Sequence, residues 1–150
     1  MLMERNPYYR RSQAEHRELA GMVAHIEDFL SRLNNEASDA DWDQLSVLAA
    51  ELLEHVSQHF QQEEAGGYLE EAIARLPRLG PQATVLERQH APLLQRLTEI
   101  VQSVYDTDRS AAAWQSWQSE FRKFSRALAA HEQHETALMD EAFANERLEV

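Results

Sequence analysis

Apolar side chains recur every three or four residues in four long stretches of this chain, the period of an amphipathic α-helix rather than the two-residue period of a strand. In the first stretch, Leu19, Met22, Val23, Ile26, Phe29, Leu30 and Leu33 follow a Ser12-x-x-Glu15 capping box, which predicts a helix from about 12 to 34. Asn34 to Asp39 is turn chemistry, and Asp39 or Asp41 is placed to cap a second helix. That helix carries Leu45, Leu48, Leu52, Val56 and Phe60 and runs to about Glu64. Gly66-Gly67 interrupts the pattern, a shorter helical piece spans Tyr68 to Leu76, and Pro77 to Pro81 forms the next connection. A third helix, from about Ala83 to Tyr105, is marked by Leu86, Leu93, Leu97, Ile100, Val101 and Val104. Asp106-Thr107-Asp108-Arg109-Ser110 ends it. A fourth, from about Ala111 to Ala144, is marked by Trp114, Trp117, Phe121, Phe124, Leu128, Leu138 and Phe143.

Four amphipathic helices joined by short connections run up and down beside their neighbours, so the expected fold is all-α, an antiparallel up-and-down four-helix bundle. The 150 residues are one domain's worth of chain, with an N-terminal arm over 1–11 and the bundle over about 12–144. With only four glycines and four prolines there is little turn material for a multi-stranded sheet, and no glycine-rich phosphate loop. No repeat at a solenoid period is visible.

Charge and composition narrow the chemistry. Twenty-six acidic against 14 basic residues leave a net charge of −12, which argues against nucleic acid and against an anionic membrane surface while leaving divalent cations welcome. No apolar run approaches the roughly 20 residues of a membrane helix, and Met1-Leu2-Met3-Glu4-Arg5-Asn6 holds no signal core, so the cytoplasm is the expected location. The absence of cysteine removes disulfides, thiolate metal sites, iron–sulfur clusters and cysteine nucleophiles together. Any metal site here must use nitrogen and oxygen donors.

Several polar residues fall on faces that the apolar pattern assigns to the core. His59 and Glu63 share the buried side of the second helix, His90 lies among Leu86, Leu93 and Leu97, and His131 and Glu135 lie among Phe124, Leu128 and Leu138. His16 flanks the stripe of the first helix. Burying an ionised carboxylate costs several kcal/mol unless it is paired or metal-bound, and the core faces contain no lysine or arginine to pair with. Reflecting positions through loop centres at about residues 38, 77 and 110 puts His16, His59, Glu63, His90, His131 and Glu135 in one layer to within about a turn. The convergence leaves two readings, a metal centre or a metal-free buried hydrogen-bond network. His25, roughly 180° round the helix from His16, cannot face the same site; His55 lies at the edge of its stripe and His134 well off it. These three are expected to be solvated or to support the site indirectly.

At these residues the sequence resembles the hemerythrin-like family of cation-binding domains. The family pattern is a histidine on the first helix, His-x-x-x-Glu on the second, a histidine on the third and His-x-x-x-Glu or His-x-x-x-x-Asp on the fourth. Here that reads His16, then His59-Phe60-Gln61-Gln62-Glu63, then His90, then His131-Glu132-Gln133-His134-Glu135, within about residues 12–144. The oxygen carriers of the family have a further histidine one turn from that of the third helix, whereas positions 86 and 94 here are leucine. The four-histidine, two-glutamate set is similar to the di-iron domain of the iron–sulfur cluster repair proteins, although the cysteine-bearing N-terminal domain those proteins often carry is not among these residues.

The resemblance implies two iron ions, with manganese or zinc as alternatives, bridged by Glu63, Glu135 and an oxo or hydroxo group. His16, His59, His90 and His131 would be terminal ligands, two per metal, with Glu87 and His134 as candidates for supporting hydrogen bonds. The expected ligand is a small diatomic such as O₂ or NO, or peroxide. Three roles follow: a binder or sensor, whose output would need a protein partner the sequence does not identify; an enzyme turning over peroxide or NO; or an iron store or delivery protein.

Overall fold

The computed structural model describes residues 6–33 and 36–144. Four long helices, α1 (Pro7–Ser31), α2 (Asp39–Glu64), α4 (Gly80–Asp106) and α5 (Ala111–Ala142), enclose the core, and the shorter α3 (Tyr68–Arg75) lies between α2 and α4 in the chain. Each long helix packs against two others, α1 against α2 and α5, and α4 against α2 and α5, while α3 touches all four. No strand occurs among the described residues.

α1 begins five residues before the expected start at Ser12. Asn6 is its N-cap, with the side chain accepting from the Tyr8 amide at 2.8 Å, and Pro7 supplies a preset φ at the first helical position. Residues 7–11 of the expected arm are therefore helix, and Ser12 is buried inside α1 at 2% exposure. Asn34, Asn35 and the expected arm's Met1 to Arg5 lie outside the described residues. α2 is capped by Ser38 rather than Asp39 or Asp41, with Asp41 as the reciprocal partner of a complete capping box. The Pro77–Pro81 connection is a 3₁₀ turn over Pro77–Leu79 that leads directly into α4. α5 ends at Ala142, close to its expected end.

Two apolar clusters fill the bundle. The larger joins Leu19 to Leu30 of α1, Trp42 to Phe60 of α2, Leu93 to Val104 of α4 and Trp114 to Leu128 of α5. The smaller gathers Tyr9, Tyr68, Leu69, Leu79, Leu86, Leu138 and Phe143 near α3. Between them, at the height of residues 16, 59–63, 90 and 131–135, lies a polar layer.

The chain enters α3 through a turn that requires glycine. Gly66 has φ of +89°, and a Cβ on Gly67 would stand 2.7 Å from the backbone oxygen of Gln62. Gly21, exposed in the middle of α1, would meet nothing within 4 Å. Gly67→Ala should thus cost about 1–3 kcal/mol through forced backbone displacement, whereas Gly21→Ala should stabilise by about 0.5–1 kcal/mol through helix propensity. Thermal melts of the two variants followed by circular dichroism check the opposite signs.

Candidate metal centre

All six residues singled out in the sequence converge. Glu135 and Glu63 are 0% and 1% exposed, His59, His90 and His131 are buried, and the His16 side chain keeps 11% of its surface. Their i,i+4 spacing stacks His59 on Glu63 and His131 on Glu135, each with Nε2 2.5 Å from a carboxylate oxygen of its partner. Across the bundle, His90 Nε2 lies 3.1 Å from Glu63 Oε2 and His16 Nε2 3.6 Å from Glu135 Oε2. All four rings thus present the same nitrogen to the two carboxylates.

The donor atoms fall into two groups. Glu63, His90, His131 and Glu135 form one, and His16, His59 and Glu135 form the other, each with one donor atom per residue and all of these within 4.8 Å of one another. Glu135 belongs to both. Five of the buried atoms involved, Nε2 of His16, His90 and His131, Oε2 of Glu63 and Oε1 of Glu135, have no hydrogen-bond partner among the described residues despite their mutual proximity. Unsatisfied nitrogen and oxygen donors facing one another in a dry core are what a bound cation would satisfy.

The outer nitrogens are held in a closed ring. His59 Nδ1 is 2.8 Å from Glu15 of α1, His90 Nδ1 3.1 Å from Glu64 of α2, His131 Nδ1 2.7 Å from Gln89 Oε1 of α4, and His16 Nδ1 3.1 Å from Thr136 of α5. Carboxylate and amide oxygens only accept, so Nδ1 carries the proton in His59, His90 and His131, and Nε2 is the atom available to a metal. Each supporting residue is the immediate chain neighbour of a ligand candidate on its own helix and serves the next helix round. Glu87 and His134, the expected supports, are both exposed, and no hydrogen bond joins either to one of the four imidazoles among the described residues. The reason is angular: the residues beside His16, Glu63, His90 and Glu135 that do the holding point about 100° round the helix, into the adjacent interface at the same height. Adjacency to a ligand candidate was the available sequence signal. His25 is exposed and His55 half-exposed, with Nδ1 3.6 Å from Glu18, so neither reaches the centre.

Two further groups were not anticipated. Tyr68, the first residue of α3, is 2% exposed, and its hydroxyl donates to Glu63 Oε1 at 2.9 Å while lying 3.3 Å from both Glu135 Oε2 and His59 Nε2. Burial and the charges of Glu135 and Glu63 push the phenol far above its ordinary value, so without a cation it stays protonated. Glu132 is pushed up to about 7 by burial, reinforced by Glu135 and Glu63 and opposed by His16 and His59. On the other side of the layer the Phe60 ring stacks on His90, with centroids 4.0 Å apart and planes 7° from parallel, and meets His131 edge-on.

Electrostatics binds the layer together. Burial opposes the charge on His59, but hydrogen bonds to Glu15 and Glu63 and the charges of Glu63 and Glu135 outweigh it and raise the ring to about 10. His90 is raised against burial by Glu63 and Glu64. Burial would raise Glu135, but the His131 and His16 rings beside it carry it well below the carboxylate range.

The hemerythrin HHE cation-binding domain matches residues 9–141, and the chain belongs to that family. Comparison with curated proteins and with solved structures yields no match. Family and geometry agree on a metal-binding four-helix bundle.

Two outcomes follow. Folding raises His59 from 6.5 to about 10, so in the metal-free protein its contribution is complete below about pH 6.5 and is lost as pH climbs through about 10; Glu132, raised from 4.5 to about 7, acts in the same direction. Metal loading displaces protons from the donors and gains with rising pH, so over pH 6.5–10 apo stability should fall while metal affinity rises. Melts at several pH values, with and without iron, measure both. Second, Glu135→Ala should drop metal content well below two ions per chain, because it removes the donor shared by both groups, and His25→Ala should leave it unchanged; elemental analysis of the purified variants decides.

Proposed function

We propose that the protein is a non-haem di-iron protein that binds or senses O₂, NO or peroxide in the bundle core. The observation that carries this reading is the pair of adjacent donor groups sharing Glu135. In it, His16 and His59 would hold one ion and His90 and His131 the other, with Glu63 and Glu135 available to both. An iron pair so held supplies open coordination positions and reversible one-electron chemistry, which suit small redox-active ligands.

The residues around the centre determine what can reach it. Phe60 and Leu93 on one side and Leu69 and Leu138 on the other are all less than 10% exposed, so apolar side chains close the bundle core on both sides of the layer. The ring of Glu15, Glu64, Gln89 and Thr136 fixes how each imidazole is turned. Leu86 and Leu94 offer no donor at the positions where the family's oxygen carriers place a further histidine. Oxygen should accordingly oxidise the reduced protein rather than bind reversibly. Cycling the reduced, iron-loaded protein between O₂ and argon should therefore fail to restore its spectrum, while NO added anaerobically should change the spectrum and saturate. Repeated full recovery after O₂ would refute the first expectation, and indifference to NO, O₂ and peroxide alike would refute the reading.

One observation favours an enzymatic variant of the same centre. The Glu132 carboxyl, raised to about 7 by burial, holds a proton near neutral pH and feels the charges of His16, His59, Glu135 and Glu63. A group so placed can pass a proton to a reacting ligand. Glu132→Gln should then slow peroxide consumption by roughly 100-fold with metal content unchanged. Wild-type protein that consumes no peroxide would remove this variant and leave binding or sensing.

A further inference from the structure

The two donor groups are unequal. Four residues face one position, but only His16, His59 and Glu135 face the other. Tyr68 stands at the shorter group. Its oxygen is 3.3 Å from His59 Nε2 and 3.3 Å from Glu135 Oε2, two of that group's three members, and 2.9 Å from Glu63 Oε1. Donors on one first-row ion, with bonds of about 2.1 Å, stand about 3.0 Å apart at octahedral angles and about 3.4 Å apart at tetrahedral ones. The phenol oxygen is therefore spaced from both neighbours as a ligand of the same ion would be. Its ring meets His16 edge-on at 6.3 Å and His59 at 6.2 Å, on the side of the layer away from the Phe60 stack on His90.

Local structure points the same way. The chain breaks α2, passes through Gly66 in the left-handed region and a Gly67 that tolerates no Cβ, and starts α3 with Tyr68 buried between two carboxylates. A phenylalanine would fill that volume without bringing a polar atom into the core.

We propose that Tyr68 is a metal ligand, a further protein donor to the ion held by His16, His59 and Glu135. The assignment rests on the di-metal reading above. Binding exchanges the phenol O–H bond for an oxygen–metal bond, and the proton leaves to solvent, with no change of oxidation state. The two ions of the pair are then chemically distinct, one with a phenolate donor and one without.

Ferric phenolate sites absorb visible light by charge transfer from the phenolate, which supplies a readout independent of activity. The apo protein is loaded anaerobically with ferrous iron and oxidised, iron is counted, and the optical and resonance Raman spectra are recorded. Wild type should hold two ions per chain and show a phenolate band with enhanced ring modes. Tyr68→Phe should keep its iron and lose the band, and Tyr105→Phe, which alters an exposed side chain, should keep both. Two ions per chain without phenolate modes in wild type, or a band that survives Tyr68→Phe, overturns the assignment and leaves the metal centre standing. Failure of wild type to load iron overturns the metal centre and this assignment together. Should Tyr68→Phe fold poorly, the wild-type Raman spectrum alone decides.

Discussion

Two carboxylates buried side by side in an apolar bundle are the constraint on which the rest of this structure depends. Glu63 and Glu135 have almost no exposed surface, and among the described residues no lysine or arginine is buried with them. Left uncompensated, each charge would cost several kcal/mol, more than a small domain can spare from its net stability. Four imidazoles and a phenol converge on the pair instead, and all five arrive with nitrogen or hydroxyl groups aimed inward. The layer cannot slip along the bundle, because apolar clusters close it off on both sides.

The same layer sets the rotation of the helices. A ligand candidate points into the core, and its chain neighbour, about 100° further round, reaches the ring on the next helix. Glu15 holds His59, Glu64 holds His90, Gln89 holds His131 and Thr136 holds His16, so the circuit closes on the helix where it began. Turning any long helix by one residue would withdraw a donor from the centre and a hydrogen bond from its neighbour at once. Specificity of packing and readiness of the donors are one arrangement seen from two sides.

The two halves of the centre have different walls. His90 and His131 face the Phe60 ring, which offers only an apolar surface. His16 and His59 face Tyr68, and the buried carboxyl of Glu132 acts electrostatically on the same two histidines. Apolar shielding is thus closest at His90, where the Phe60 ring stacks, while a hydroxyl stands beside His59.

The four long helices were legible along the chain because helix periodicity and capping are local, and the elements that differ do so through local competition. Asn6-Pro7 outcompetes Ser12 as the start of α1, and Ser38, with Asp41 as its reciprocal partner, caps α2 in place of Asp39, each alternative having been a valid cap by residue type. The six residues at the centre were legible too, because i,i+4 spacing and height from the loops are properties of the chain. Tyr68 was not, since a helix of eight residues carries too short a pattern to show which way its first side chain faces. Nor were Glu15, Glu64, Gln89, Thr136 and Glu132, polar residues on helices where polar residues usually meet water. The sequence by itself determined which helices form and which side chains turn toward the core, since both follow from a repeat of 3.6 residues. Only the tertiary structure decided which atoms meet across the bundle, because a contact between helices depends on how each is rotated against its neighbours, and no single helix carries that information.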